Sequence, residues 1–175
     1  MVVDFDPVIF SIGPVEIRWY AMMYVLGFLV GSQILVYLSK DGFLRLERKK
    51  IDSYVSLLMI GMLIGARVFY VFIYNWDQYS QNPGDIFAVW KGGLSFHGAL
   101  VGMLGATYYV AKKNGLHFLE IADSLGLAGT IGLFFGRLGN FINGELYGRI
   151  TDSAFGLVFK NGGPYPRHPS QLYEG

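Results

Sequence analysis

The chain has 175 residues, of which 53% are hydrophobic and only 15% are charged, and its formal net charge at pH 7 is +1. A soluble domain usually carries about 25% charged residues, and a nucleic-acid-binding protein usually carries a strongly basic surface, so this composition indicates a membrane protein with no nucleic-acid partner. The sequence contains no cysteine, which excludes disulfide bonds, thiolate metal sites and a cysteine nucleophile supplied by the protein itself.

The N-terminal segment, residues 1–19, is predicted to lie outside the membrane. It begins with the acidic stretch MVVDFDPVIF, whereas a cleaved signal peptide would begin with basic residues, so we expect no cleaved signal. The following IFSIGPVEIRW alternates around Gly13 and Pro14 in a pattern typical of strands. We expect it to lie flat on the outer surface.

Four apolar segments follow, and each approaches the roughly 20 residues that a helix needs to cross a hydrocarbon core of about 30 Å. They cover residues 20–38, 53–76, 92–111 and 119–141. The sequence therefore predicts an all-α polytopic membrane protein with about four transmembrane helices, whose helical body extends over residues 20–143.

Glycines recur in these segments at the spacing that lets helices approach closely in lipid. Gly61 and Gly65 are four positions apart, as are Gly98 and Gly102, and the last segment has glycines at 126, 129, 132 and 136. We expect all of them to serve helix packing. The glycines of the last segment have an alternative use, which is to leave an opening for lipid tails.

The loops between the segments differ in charge, and this difference predicts the orientation of the chain. The first and third loops are basic, whereas the second is not. The residues concerned are, in loop order, Lys40, Arg45, Arg48, Lys49 and Lys50, then Asp77, Asp85 and Lys91, then Lys112 and Lys113. Basic loops lie on the cytoplasmic side, so the N-terminus and the stretch after the fourth segment are predicted outside. The residues Trp19, Trp76 and Trp90 then fall at outer ends of segments, where interfacial aromatic residues concentrate.

The conspicuous polar residues of the apolar segments all fall in the outer half of the membrane under this orientation. They are Tyr20, Arg67, His97, Arg137 and Asn140. Polar and charged side chains within a membrane are costly and usually functional, so their convergence predicts one site. Simpler explanations exist for three of them: Arg67 can extend to the headgroups, Tyr20 can belong to the interfacial aromatic belt, and His97 can hydrogen-bond a neighbouring helix.

The stretch GRLGNFINGELYG, residues 136–148, concentrates polar groups directly after an apolar run. Arginine is the preferred residue for bidentate phosphate binding and carboxamides supply further donors, so Arg137, Asn140 and Asn143 are predicted to bind an anionic headgroup. Glu145 can hold Arg137 in place, receive a proton, or do both. No cluster of metal ligands is apparent, and we expect neither a metal nor a cofactor.

The residues after Gly148 are rich in glycine and proline, and GLVF followed by the turn NGG predicts a short hairpin. Residues 144–169 are therefore expected to form a small external cap, of irregular and β structure, over the site.

The stretch GRLGNFINGELYG also resembles the signature of the prolipoprotein diacylglyceryl transferases, whose pattern is G-R-x-G-N-F-[hydrophobic]-N-x-E-x-x-G. Further stretches resemble the same family in the same order, so the resemblance covers essentially the whole chain. They are DPVIFSIGP, RWYAMMYVLGF, GARVFYVFIYN, GGLSFHGALVG and RHPSQLYE.

The resemblance implies a multi-pass enzyme of the bacterial cytoplasmic (inner) membrane, with its active site toward the outer leaflet. Such an enzyme transfers the diacylglyceryl group of phosphatidylglycerol to the lipobox cysteine of a prolipoprotein signal peptide, forming a thioether and releasing glycerol phosphate. The implied partners are phosphatidylglycerol, prolipoprotein signal peptides and membrane lipids. Family members continue past RHPSQLYE into further membrane helices, so residues 170–175 are expected to begin another helix and the chain to be an N-terminal portion.

The site residues follow from this resemblance together with the chemistry above. The expected catalytic residues are Tyr20, His97, Arg137 and Glu145. The residues expected to bind phosphatidylglycerol are Arg67, Arg137, Asn140, Asn143 and Gly148. The substrate thiol needs a base to become a thiolate, and His97 or Glu145 could supply it.

Two other classes of protein also gather glycines or polar groups within a helical bundle. A lipid- or anion-binding transporter would do so, but it needs access from both faces of the membrane, whereas the polar groups here lie in the outer half. A purely structural scaffold would explain the glycines but not the cluster of residues 137–145.

Overall fold

The computed structural model describes residues 2–13, 15–89 and 92–175 and divides the chain into two compact units. The first unit comprises Met1–Ile34 and Gly126–Gly175, and the second comprises Leu35–Leu125. The hairpin residue Pro14 and the loop residues Trp90 and Lys91, used in the sequence analysis, lie outside the described residues.

Helices account for most of the described residues, as predicted. In chain order the elements are β1 (Val2–Val3), β2 (Val8–Ile12), β3 (Val15–Arg18), α1 (Trp19–Lys40), α2 (Arg48–Phe69), a π-helical turn (Tyr70–Tyr74), α3 (Trp76–Gln81), a 3-10 turn (Pro83–Phe87), α4 (Phe96–Asn114), α5 (Phe118–Asn143), β4 (Val158–Phe159) and α6 (Ser170–Glu174).

Three helical stretches among the described residues are long and apolar enough to cross a membrane. They are Trp19–Lys40, Arg48–Tyr74 and Phe118–Asn143, which coincide with the first, second and fourth predicted segments. The third predicted segment forms α4, which is not among these three. Its 19 residues include His97 near the start and Lys112 and Lys113 in the last turn, and these polar residues lower its mean hydropathy. A crossing by α4 stays a prediction.

Helices α2 and α4 of the second unit pack through their glycines. A Cβ added to Gly61 would lie 2.6 Å from the carbonyl oxygen of Gly102, and Gly65 meets the carbonyl oxygen of Gly98 as closely. Any larger residue would push the two backbones apart. The close packing predicted from these glycines is confirmed.

The glycines of α5 differ from those of α2 and α4. A Cβ added to Gly27 of α1 would lie 3.3 Å from the Cα of Gly132, so α1 and α5 approach closely at that level. A Cβ added to Gly126, Gly129 or Gly136 would meet no described atom within 4 Å. Helix packing by these three glycines thus has no partner among the described residues and stays a prediction, as does the opening for lipid tails.

The strand-like pattern at the N-terminus corresponds to a real hairpin in the first unit. Strands β2 and β3 are antiparallel, and Ile12 pairs with Val15. Gly13 in the turn between them has a φ of +59°, a left-handed conformation that glycine adopts without strain. The backbone N–H of Trp19 donates to the carbonyl of Pro7, which ties the start of α1 to this hairpin.

The hairpin predicted within residues 144–169 is reduced to isolated bridges. Strand β4 pairs instead with β1, in parallel, so that Val158 lies opposite Val2. Across the NGG turn, Leu157 forms a bridge with Arg167. The returning segment contains prolines at 164, 166 and 169, which lack the backbone N–H that a regular ladder requires.

Candidate active site

The polar cluster of the first unit begins where α5 ends. Gly144 has a left-handed φ of +64°, which stops the helix at Asn143 and turns the chain. The backbone N–H of Glu145 then donates to the carbonyl of Asn140 at 3.0 Å. This turn brings the glutamate back against the last turn of the helix.

The carboxylate of Glu145 accepts hydrogen bonds from two carboxamides. Its Oε1 lies 3.0 Å from Nδ2 of Asn140 and 3.3 Å from Nδ2 of Asn143. Asn140 is 7% exposed, so its side chain is desolvated and held in one orientation. The two asparagines and the glutamate therefore form one connected group.

Helix α6 supports the turn that carries Glu145. Gln171 Nε2 donates to the carbonyl oxygen of Glu145 at 2.7 Å, and Ser170 Oγ donates to that of Leu146 at 3.1 Å. Leu146 has a φ of 54°, an unfavourable conformation for leucine that these bonds help to maintain. Ser170 and Gln171 are not among the predicted site residues, and the only sequence signal for them is the stretch RHPSQLYE.

Two buried acceptor oxygens of this group have no hydrogen-bond donor in the described part of the chain. They are Oδ1 of Asn143 and Oε1 of Gln171. Buried polar atoms are nearly always paired, so these oxygens can accept hydrogen bonds from hydroxyl groups of a ligand.

Tyr20, in the first turn of α1, belongs to the same group. Its ring packs on Gly139, where an added Cβ would lie 2.8 Å from Cδ2 of the tyrosine. Its hydroxyl lies 3.1 Å from that of Tyr24. The structure thus brings Tyr20 against the last turns of α5, the helix that contains Asn140.

Arg137 is paired with a different carboxylate from the one considered in the sequence analysis. Its Nη2 forms an ion pair with Oε2 of Glu174, whereas Glu145 takes the two asparagines. The arginine side chain is 19% exposed and the glutamate side chain 51% exposed. Glu174 lies in α6, which returns alongside α5, and so it holds the guanidinium in place of Glu145.

Gly148 lies where two segments of the first unit meet. Its backbone N–H donates to the carbonyl of His168 at 2.8 Å, and an added Cβ would lie 2.9 Å from Cβ of that histidine. This close approach is a structural reason for glycine at position 148. Binding of phosphatidylglycerol by Gly148 stays a prediction.

His97 belongs to the second unit and lies in the first turn of α4. Ser95 caps the start of the helix, and its Oγ accepts a hydrogen bond from the backbone N–H of Gly98 at 3.1 Å. Nδ1 of His97 lies 3.2 Å from the hydroxyl of Tyr74, at the end of the π-helical turn. Tyr74 was not a predicted site residue.

Arg67 anchors the loop between α3 and α4. It is 6% exposed, and its guanidinium stacks over the ring of Tyr79 at 5.1 Å. Its N–H groups donate to the backbone carbonyls of Asp85, Ile86, Ala88, Gly92 and Gly93, at 2.6, 2.9, 3.4, 2.7 and 3.0 Å. A guanidinium has five N–H donors, so none is left for a phosphate. This corrects both the substrate-binding role and the headgroup contact considered for Arg67.

The predicted site residues therefore form two groups. The first unit contains Tyr20, Arg137, Asn140, Asn143, Glu145 and Gly148, and the second contains Arg67 and His97. A single site lined by all of these residues would need contributions from both units, and it stays a prediction.

The fold and the first group of residues define a class of protein. The chain has helices that are apolar and long enough to cross a membrane, and the last of them carries a guanidinium and two carboxamides near its end, followed by a carboxylate. These features describe a helical membrane protein with a polar cluster at one helix end. The family model described as prolipoprotein diacylglyceryl transferase matches residues 7–175. The chain belongs to this family.

Relatives named phosphatidylglycerol–prolipoprotein diacylglyceryl transferase are similar over almost the whole chain. The relative from Nitratidesulfovibrio vulgaris (strain DP4) is 43% identical over 97% of this chain and 64% of its own length. The relative from Geobacter sulfurreducens is 46% identical over 97% of this chain and 65% of its own length. The relative from Vibrio vulnificus (strain YJ016) is 44% identical over 98% of this chain and 63% of its own length. The chain thus spans less than two thirds of the length of these relatives.

Proposed function

We propose that this protein transfers the diacylglyceryl group of phosphatidylglycerol to the lipobox cysteine of prolipoproteins. The observation that carries the proposal is the family match over residues 7–175, together with relatives that bear the name of this transferase. The match does not favour the transporter alternative. We place the enzyme in the bacterial inner membrane, with phosphatidylglycerol and the prolipoprotein signal peptide approaching from the outer leaflet.

The reaction is a displacement at carbon. The sulfur of the substrate cysteine forms a bond to the terminal glyceryl carbon of the diacylglycerol, and the bond between that carbon and the phosphate oxygen breaks. The thiol proton passes to a base, and the leaving group departs as glycerol phosphate. Negative charge grows on the leaving phosphate oxygens, so the enzyme needs fixed donors there.

Arg137 is the residue that we assign to the phosphate. It is already paired with a carboxylate, and the half-exposed side chain of Glu174 can be replaced by an incoming phosphate at the same guanidinium. Asn140 and Asn143 supply amide donors beside it, and the unpaired Oδ1 of Asn143 can accept a hydroxyl of the glycerol headgroup. Tyr20 supports this group by packing on Gly139, the neighbour of Asn140 in α5.

We assign the thiol proton to His97 rather than to Glu145. Histidine is the side chain that most often serves as a general base in enzymes. The carboxylate of Glu145 is also occupied by two amides, while Nε2 of His97 has no partner among the described residues. Glu145 then serves to orient the donors.

The proposal is tested with the full-length protein in membranes. Incubation with labelled phosphatidylglycerol and a lipobox peptide should add one diacylglyceryl group to the peptide and release glycerol phosphate. A peptide that stays unmodified while labelled lipid crosses the membrane would support the transporter instead. A peptide whose cysteine is replaced by serine is the control, and it should remain unmodified.

A further inference from the structure

We propose that Tyr74 is a positioning residue for His97, placed there by the π-helical turn at the end of α2. In this arrangement the tyrosine hydroxyl holds Nδ1 of the histidine and leaves Nε2 for the substrate thiol. The inference rests on the proposed function, in which His97 takes the thiol proton.

The helical register shows why the π-helical turn matters. Tyr74 follows Gly65 by nine positions, and Gly65 faces α4. At about 100° per residue, an uninterrupted α-helix would turn Tyr74 about 180° away from that face. A π-helix bonds residues five apart instead of four, so each residue advances less around the axis. The turn Tyr70–Tyr74 therefore brings the ring back toward α4 and its histidine.

The rest of the second unit fixes the two partners in place. The glycine contacts between α2 and α4 hold the two backbones together near Gly65 and Gly98. The backbone N–H of Ser95 donates to the carbonyl of Ala66 at 3.0 Å, which joins the start of α4 directly to α2. Arg67 holds the carbonyls of the residues that precede this start. The distance between Tyr74 and His97 is thus set by several contacts besides their own.

Tyr70, the first residue of the π-helical turn, is also packed against its neighbours. Gly93 has a φ of +85°, and an added Cβ there would lie 2.7 Å from Cδ1 of Tyr70. The ring of Tyr70 also packs edge-on against that of Tyr79, with centroids 6.3 Å apart. The aromatic residue at position 70 is therefore packed by its ring, whereas the one at position 74 acts through its hydroxyl.

The hydrogen bond between Tyr74 and His97 determines which ring nitrogen can act as a base. If Nδ1 carries the hydrogen and donates it to the tyrosine oxygen, Nε2 keeps its lone pair and can accept a proton. After proton transfer Nδ1–H still donates to the same oxygen, so the ring does not reorient during the reaction. Without the hydroxyl, the ring can rotate and populate the tautomer in which Nε2 carries the hydrogen.

Tyr74→Phe in the full-length protein tests the inference, with Tyr70→Phe as the matched control from the same turn. Both changes keep the aromatic ring and remove only a hydroxyl. A positioned base contributes about 10²–10⁴-fold, so we expect Tyr74→Phe to lower kcat on the order of tenfold, with KM for the lipobox peptide changed less than about twofold. Tyr70→Phe should keep both constants within about twofold of the unmodified protein.

A spectroscopic measurement separates positioning from packing. With ¹⁵N-labelled histidine, NMR should show the Nδ1–H tautomer of His97 in the unmodified protein and in Tyr70→Phe, and a mixture with the Nε2–H tautomer in Tyr74→Phe. Equal tautomers and equal kcat in the two phenylalanine variants would overturn the inference. Full activity of His97→Ala would instead refute the base assignment, and the tautomer comparison would still report whether Tyr74 orients the ring.

Discussion

The guanidinium of Arg137 forms an ion pair with the carboxylate of Glu174. A phosphate group has oxygens that can accept from a guanidinium in the same way as those of a carboxylate. A lysine ammonium has the charge but not the planar fork, so we expect Arg137→Lys to fail almost as severely as Arg137→Ala. The expected loss in kcat is on the order of 10²–10³-fold, as for a lost oxyanion donor. Transfer of labelled diacylglycerol to a lipobox peptide by the full-length protein measures it.

A control for this charge-preserving change is available on the surface of the same unit. Arg18 pairs with Glu16 at 2.7 Å, and its side chain is 57% exposed. Arg18→Lys should therefore leave turnover within about twofold, because exposed ion pairs contribute little. If Arg137→Lys retained most of the activity, the guanidinium would act only as a positive charge and not as a two-pronged donor.

Asn140 contributes the shorter of the two hydrogen bonds to Glu145, at 3.0 Å. Asn140→Asp would replace a donor by a second carboxylate facing the first and beside the leaving phosphate. We expect turnover to fall on the order of 10²-fold or more, because the lost donor and the added like charge both oppose the growing negative charge. Asn161→Asp, an exposed position in residues 144–169, is the control, and near-normal turnover of Asn140→Asp would remove this residue from the phosphate site.

At the scale of single residues, the sequence indicated a polar cluster over residues 137–145 but not which of its side chains pair. Asn140, Asn143 and Glu145 meet because the turn at Gly144 folds the six positions 140–145 back on themselves. Glu174 as the partner of Arg137 could not be predicted, since it is 37 positions away and no periodic pattern connects the two. The contact of Tyr74 with His97 depends on the π-helical turn at Tyr70–Tyr74. The spacing of apolar residues in this segment does not distinguish a π-helical turn from an α-helical one.

Among the elements, the glycine contact between α2 and α4 is the most directly testable. Gly65→Ala would place a methyl group against the carbonyl of Gly98. Such overpacking typically lowers the free energy of unfolding by about 1–3 kcal/mol. Gly105→Ala is a matched control on α4, because an added Cβ there meets no described atom within 4 Å. We expect thermal unfolding of the purified 175-residue chain in detergent to shift down for Gly65→Ala and to stay level or rise for Gly105→Ala. The reverse order would show that the two glycine faces do not meet.

The existence of the long helices was predictable, whereas their exact ends and exposed faces were not. Hydropathy over about 20 residues identifies an apolar helix, so α1, α2 and α5 were expected from sequence. A glycine spacing of four positions gives a tight contact at Gly61 and Gly65, whereas Gly136, four positions after Gly132, meets no neighbour among the described residues. Spacing reports what a helix allows and not whether a neighbour is present.

At the scale of the whole molecule, the sequence predicted membrane character but not long-range pairing. Val2 pairs with Val158. This pairing could not be predicted, because hydrophobic patterns of period 2 or 3.6 report only on positions that are close in sequence. The two units have their own packing, and the predicted site draws on both. The prediction that concerns the molecule as a whole is therefore its topology.

The topology depends on whether α4 crosses the membrane. Its start carries His97 and its last turn carries Lys112 and Lys113, which the positive-inside rule places in the cytoplasm. With four crossings and the N-terminus outside, reporters fused after Lys50 and Lys113 should be cytoplasmic, and reporters near Asp85 and Asn161 should be external. If α4 does not cross, only the last two positions along the chain change sides: the reporter after Lys113 becomes external and the one at Asn161 becomes cytoplasmic. The reporters at Lys50 and Asp85 keep their sides in both cases and so serve as controls. Finding Asn161 in the cytoplasm would put Arg137 and Glu145 at the inner face, and it would contradict transfer at the outer leaflet.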